Sequence, residues 1–120
     1  MTKHNFKEII AWQKAKELTS IIYKLTREFP QEERYALTSQ VKRAVVSISS
    51  NIAEGSGRRT TKDLSHFHDI AVGSAFELES ELLVAIELEF IPEADCTLAF
   101  DKLNEVQKLI VGFQNYLNNK

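Results

Sequence analysis

Five cations fall within 21 positions of the sequence: Lys42, Arg43, Arg58, Arg59 and Lys62. Glu54 is the sole acid in that span, and Asp63 follows it at once. Cations at this density neutralise phosphates, so a nucleic-acid backbone is the ligand they point to. Arg58, Arg59 and Lys62 also stand where a helix is about to begin, and the N–H groups of a helix N-terminus face outward toward anions. Two other readings stay open. The cations belong to a solvated turn, or they pair with an acidic helix of a neighbouring copy. Arg43 has a further alternative, a buried pairing with Glu54 or Glu77.

Between these cations lies "NIAEGSGRRTTKD", residues 51–63. A P-loop needs Gly-x-x-x-x-Gly-Lys-[Ser/Thr] after a strand, and a dinucleotide fingerprint needs three spaced glycines after a strand. Here the glycines are Gly55 and Gly57, no Lys-Ser follows, and the preceding pattern is helical. Turn chemistry explains the segment better. Gly55 or Gly57 is expected to take the left-handed conformation that closes a helix. Thr60 is expected to cap the next one, with Asp63 as its capping-box partner.

Metal and acid–base chemistry find less support. The histidines are His4, His66 and His68. His66 and His68 are two apart and diverge on a helix, whereas a helical metal pair wants spacings of three or four. Glu77, Glu79, Glu81, Glu87 and Glu89 cluster, but no Glu-x-x-His accompanies them, so a di-iron site is not expected. Glu77 and Glu81 share a helix face and are expected to pair with a nearby Arg or Lys. No nucleophile-elbow signature occurs. A remote enzymatic reading uses Arg59 and His66, whose spacing fits the loose end of the Arg-x(4–6)-His pattern of small helical ribonucleases. The preferred reading is non-enzymatic, with no metal and no cofactor.

Four apolar stripes at helical spacing must position these residues. The first runs Ala11, Ala15, Leu18, Ile22, Leu25, Phe29, widened by Ile10, Trp12 and Ile21, and Pro30 ends it. The second runs Leu37, Val41, Ala44, Ile48, Ile52, with acids of "QEER" near its start. The third runs Leu64, Phe67, Ala71, Ala75, Leu78, Leu82, Ala85. The fourth runs Ala99, Leu103, Val106, Ile110, Phe113, Leu117. No run of period-two alternation competes with them. Short breaks near Pro30, residues 55–60 and Pro92 imply antiparallel neighbours. The expectation is an all-α, antiparallel up-down-up-down four-helix bundle, a single domain over residues 1–120. Helices of about 22–30 residues would make a rod about 35–45 Å long.

The second helix carries more than a core stripe. Gln40, Arg43, Ser47, Asn51 and Glu54 form a polar line at steps of three and four. Val46, Ser49, Ser50, Ala53 and Gly57 form a face with little large polar coverage, and Ala71, Gly73, Ser74 and Ala75 answer on the third helix. Small side chains let helix backbones approach closely, and the extra apolar coverage predicts self-association.

The net charge of −2 conceals a polarised chain. Residues 1–62 carry twelve Lys/Arg and six Asp/Glu, and residues 63–120 carry three and eleven. Such a chain binds a polyanion on one side, pairs its own helices, or assembles with copies of itself. The lone Cys96 cannot form an internal disulfide and fits a reducing, cytoplasmic location. No signal peptide and no membrane span are expected.

Trp12, "FPQEERYALTSQVKRAVVSISSNIAEG", Arg59 and "IAVGSAFELESEL" together resemble the 23S rRNA-intervening-sequence protein family of bacterial four-helix bundles. The resemblance covers roughly the first 90 residues, far more than a short motif does. It implies an up-down bundle that assembles into a homo-oligomer, a pentameric ring. The family is also similar to the accessory variability protein of diversity-generating retroelements, a basic pentameric barrel that binds nucleic acid and a reverse transcriptase. The resemblance carries over no catalytic residues, and it gives the Gln40–Arg43–Asn51–Glu54 line a structural role. The resulting expectation is a bundle that binds RNA or DNA through Lys42, Arg43, Arg58, Arg59 and Lys62. Gln40, Ser47, Asn51, Glu54 and Glu77 are its structural polar stripe. The alternative is a scaffold for a protein partner such as a reverse transcriptase.

Overall fold

The computed structural model describes residues 5–119, so His4 lies outside the described residues. Four helices carry the fold: α1 (Ile10–Thr26), α2 (Leu37–Ser56), α3 (Thr61–Glu87) and α4 (Thr97–Asn118). Short 3-10 turns precede three of them, at Phe6–Glu8, Gln31–Glu33 and Glu93–Cys96. No strand occurs among the described residues. Each helix packs on its neighbours in sequence, α4 closes back on α1, and α2–α3 is the most extensive pairing. The bundle measures 47 × 24 × 19 Å.

α1 and α2 have 17 and 20 residues, shorter than expected. Phe29 precedes a proline, which disfavours helical backbone there, so α1 stops at Thr26 and the chain turns through residues 27–29. α2 then waits until Leu37. Its N-cap, Ala36, has no side-chain acceptor, and the carboxylate of Glu33 reaches forward to accept the Leu37 N–H at 3.4 Å. An acid of "QEER" thus acts at the positive end of the helix.

The apolar stripes form one core through all four helices, with one revision on each. On α1 Thr26 is buried where Leu25 is half-buried, and on α2 Thr38 is buried where Leu37 is half-buried. On α3 the buried line is Leu64, His68, Ala71, Ala75, Leu78, Leu82, Ala85, and Phe67 is only half-buried. On α4 Gln114 is buried where Phe113 is half-buried. The expected and the observed lines both keep steps of three and four, so spacing allows either residue and the meeting of the helices selects the one that is buried. The displaced aromatics pack at the edge: Phe113 lies 5.4 Å from the His68 ring. Ile10, expected to widen the α1 face, is exposed.

The α2–α3 junction also differs from expectation. Neither Gly55 nor Gly57 is left-handed. No described glycine has positive φ, α2 runs through Gly55, and Gly57 caps it at φ −88°. Gly55 has a different use. A Cβ there would lie 3.1 Å from both the Leu64 carbonyl oxygen and the Phe67 Cβ. The glycine lets α3 cross close over α2. Gly73, expected among the close-approach residues, has open space around it. Thr60 does cap α3, its Oγ1 accepting the Asp63 N–H at 3.1 Å.

The left-handed residue is at the other end of α3. Glu89 has φ 62°. The Phe90 N–H donates to the Ala85 carbonyl at 2.9 Å and the Glu89 N–H to the Ile86 carbonyl at 3.0 Å. These two bonds make a Schellman motif, closed here without the usual glycine.

Candidate nucleic-acid interface

The five expected cations do not form one patch. Lys42 and Arg43 lie in the N-terminal half of α2, and Arg58, Arg59 and Lys62 gather at its far end. At 1.5 Å per residue the two groups stand roughly 20–25 Å apart along the helix.

The turn group is partly engaged by the protein itself. Arg58 pairs with Glu54 one turn back, and its guanidinium lies 4.4 Å from the centre of the Phe67 ring. Half-buried Phe67 thereby becomes a platform for this arginine. Arg59 is exposed and precedes the Thr60 cap, so it stands outside α3. His66 is on α3, exposed, with its ring edge against Phe67. The remote ribonuclease pair therefore does not share one helix. Lys62 and His66 line an open hollow with Ser65 and Asp69. Gln114 of α4 braces its floor, donating to the Ser65 carbonyl at 3.0 Å and the Asp69 carboxylate at 2.8 Å.

The second group gains members that the spacing of cations did not reveal. Arg34 and Tyr35, in the α1–α2 connection, meet Tyr23 of α1 and Lys42 and Arg43 of α2 around a shallow groove. The Lys42 ammonium lies 5.0 Å above the Tyr23 ring, and the Arg34 guanidinium 5.3 Å from that of Tyr35. Arg43 is exposed and donates to the Ser39 hydroxyl at 3.2 Å, so it is not the buried partner of a glutamate. Among the described residues no carboxylate lines this groove. Tyr35 is 86% exposed. The signal in the sequence was the adjacent pair Arg34–Tyr35, which carries no spacing motif of its own.

The polar line of α2 divides by depth. Ser47 shares a hydrogen bond of 2.9 Å with Ser74 of α3. The Asn51 amide donates to the Ser47 carbonyl at 2.8 Å and to its hydroxyl at 3.0 Å. The Ser47–Ser74 bond links α2 to α3, and Asn51 braces Ser47 from one turn on along the same helix. Gln40, Glu54 and Glu77 stay exposed. Glu81, by contrast, is buried at 9% exposure. Its carboxyl is pushed up to about 7, first by burial and then by the charge of Glu77, to which it hydrogen-bonds. The expected pairing of Glu81 with an Arg or Lys is thus replaced by a carboxyl–carboxyl pair. Its Oε1 has no hydrogen-bond partner among the described residues.

His66 is exposed and His68 buried, so the two rings face different surroundings, and no group of three or more potential metal ligands forms among the described residues. Cys96 is buried, and burial together with the neighbouring Asp95 pushes its thiol above the ordinary range. Among the described residues no helix is long and apolar enough to cross a membrane.

Comparison with known proteins agrees with this architecture. The chain is similar to a crystallised Bacteroides thetaiotaomicron protein of unknown function, described as belonging to the S23 ribosomal protein family. The two are 24% identical, with a TM-score of 0.80 over 88% of this chain and 98% of the other. That likeness establishes the shared fold. No curated protein matches. The sequence pattern of the 23S rRNA-intervening sequence proteins matches residues 7–112. With nearly its whole length inside that pattern and the four helices in place, the chain belongs to the 23S rRNA-intervening sequence protein family.

Proposed function

We propose that this protein is a non-catalytic, homo-oligomeric helical bundle that holds RNA or DNA by its phosphate backbone. The observation that carries the reading is the placement of charge. From Arg34 to Lys62 six cations meet one acid, Glu54, and Arg58 already engages that acid. Residues 63–120 hold eleven of the seventeen acids, so a polyanion approaches from the α1–α2 side and from the α2–α3 turn. Family membership adds an expectation of ring assembly, with five copies as the resemblance implies. Phe76, Leu83 and Val84 on α3 and Leu88 just past its end are exposed, and a neighbouring copy seated there would cover them. The buried, unreactive Cys96 suits a cytoplasmic location.

A salt series tests the binding. Affinity for a labelled oligonucleotide should fall steeply between about 50 and 200 mM salt, because each phosphate contact releases a counterion. Replacing Arg34, Lys42 and Arg43 with Gln, or Arg58 and Arg59 with Ala, should each weaken it. Absence of binding at low salt, or full binding by both variants, removes the proposal. Light scattering that finds a monomer removes the assembly.

A second reading, a scaffold for a protein partner such as a reverse transcriptase, rests on the same exposed apolar residues of α3. It predicts that Phe76→Ser lowers partner capture while oligonucleotide binding is unchanged.

A further inference from the structure

The groove between α1 and α2 carries more than charge. Its cations alternate with two tyrosine rings, Tyr23 and Tyr35. Each ring is held by a cation, Lys42 at 5.0 Å and Arg34 at 5.3 Å. A cation above one face of a ring orients the side chain, and Tyr35, at 86% exposure, offers the rest of its surface to solvent. An aromatic ring this exposed contributes little to the core of its own chain. Arg43, tethered at Ser39, supplies charge beside it.

The geometry points to a single-strand binding site in this groove, with Tyr35 stacking on an unpaired base while Arg34, Lys42 and Arg43 neutralise the adjoining phosphates. This deepens the proposed function and rests on it. Access to a base face separates the two forms of nucleic acid. In a duplex both faces of an internal base are covered by neighbouring bases, so an aromatic side chain in a shallow groove has nothing to stack on. In a single strand every base presents a face, and stacking on an aromatic ring tolerates any sequence. Phosphate contacts alone would not distinguish the two forms. At the turn end the aromatic rings are already engaged: Phe67 is half-buried and faces Arg58, and Tyr116, though 55% exposed, stacks on Phe113 with ring centres 6.4 Å apart. The two cationic regions therefore differ in kind: the groove discriminates strandedness and the turn supplies charge.

The test is fluorescence anisotropy on the full chain with labelled oligo(dT) and oligo(U) of about 20 nucleotides, against a duplex of equal length. The variants are Tyr35→Ala, Tyr35→Phe and the Arg34→Gln/Lys42→Gln/Arg43→Gln triple. Tyr35→Ala should weaken single-strand binding about tenfold and leave duplex binding unchanged, since one stacked base contributes about that factor. Tyr35→Phe should bind single strands as the parent does. The triple variant should lose both forms. If Tyr35→Ala weakens both forms equally, or neither, the stacking inference fails while backbone binding stands, provided the triple variant still loses affinity. If no oligonucleotide binds at low salt, the proposed function fails and takes this inference with it. If Tyr35→Ala instead changes the particle mass in light scattering, a second copy fills the groove and the inference is overturned. Since Tyr35 is at the surface, circular dichroism should show an unchanged fold.

Discussion

The two halves of α2 solve the same packing problem differently. Toward its C-terminus, Ser47 bonds across to Ser74, Asn51 braces Ser47, and Gly55 lets α3 approach closely. Toward its N-terminus the seam is less well matched. The Ser47–Ser74 bond sets an antiparallel register, so seven residues back on α2 and seven forward on α3, Gln40 lies level with Glu81. At that end Glu81 Oε1 and Thr38 Oγ1 are both buried without a hydrogen-bond partner. A buried polar group without a partner costs about 1–3 kcal/mol. The contrast also separates the cations: Arg58 at the tight end is bound to Glu54, and Lys42 and Arg43 at the looser end border a groove with no carboxylate lining. The surface available to a ligand lies beside the half that holds Thr38 and Glu81.

The largest test of this contrast is Gly55→Ala. A methyl group there would sit 3.1 Å from the Leu64 carbonyl oxygen, so α3 must give by a few tenths of an ångström, and the expected loss is about 2 kcal/mol in urea unfolding. Gly57→Ala is the control. Its Cβ would meet only the Glu54 carbonyl oxygen at 3.6 Å, so stability should change by less than about 0.5 kcal/mol. Equal losses at both sites would erase the tight end.

Glu81→Gln probes the other end through pH. The Glu81 carboxyl titrates near 7 when folded and near 4.5 when unfolded, so the folded chain holds the extra proton between those values. Its stability should therefore fall as pH rises from about 4.5 to 7 and then level off. Glu81→Gln keeps the neutral form at every pH. It should be about 1–2 kcal/mol more stable than the parent at pH 8 and nearly equal to it near pH 4.5. A gain independent of pH would assign the effect to packing instead of ionisation.

The charge contrast predicts a smaller difference. Arg43→Gln should weaken oligonucleotide binding more than Arg58→Gln, by about fivefold at low salt, because Arg58 already has a carboxylate partner. The reverse order would make the turn the principal contact. Smallest is Glu89→Gly at the far end of α3. It removes a left-handed non-glycine residue and should raise stability by about 0.5–1 kcal/mol, with binding unchanged.

Local patterns made much of this legible in advance. The steps between apolar residues placed the four helices, Pro30 and Pro92 marked two of their breaks, and Thr60 read correctly as a cap. His68 was missed because a phenylalanine stood one position earlier, and its hydrophobicity drew the core line to Phe67. Gln114 beside Phe113 repeats the same displacement. The groove was missed because Tyr23 and Arg34 come from segments that only the folded chain brings to Lys42.

The sequence by itself determined the helical architecture, the polarised charge and the family. Each is a property of neighbours along the chain or of the whole composition. Only the tertiary structure decided that Gly55 serves close approach instead of a left-handed turn. It alone brought Tyr23 and Arg34 to Lys42 and buried Glu81 beside Glu77. Those outcomes depend on which faces of two helices meet and at what register. Residue spacing within one helix carries no information about the offset to its partner.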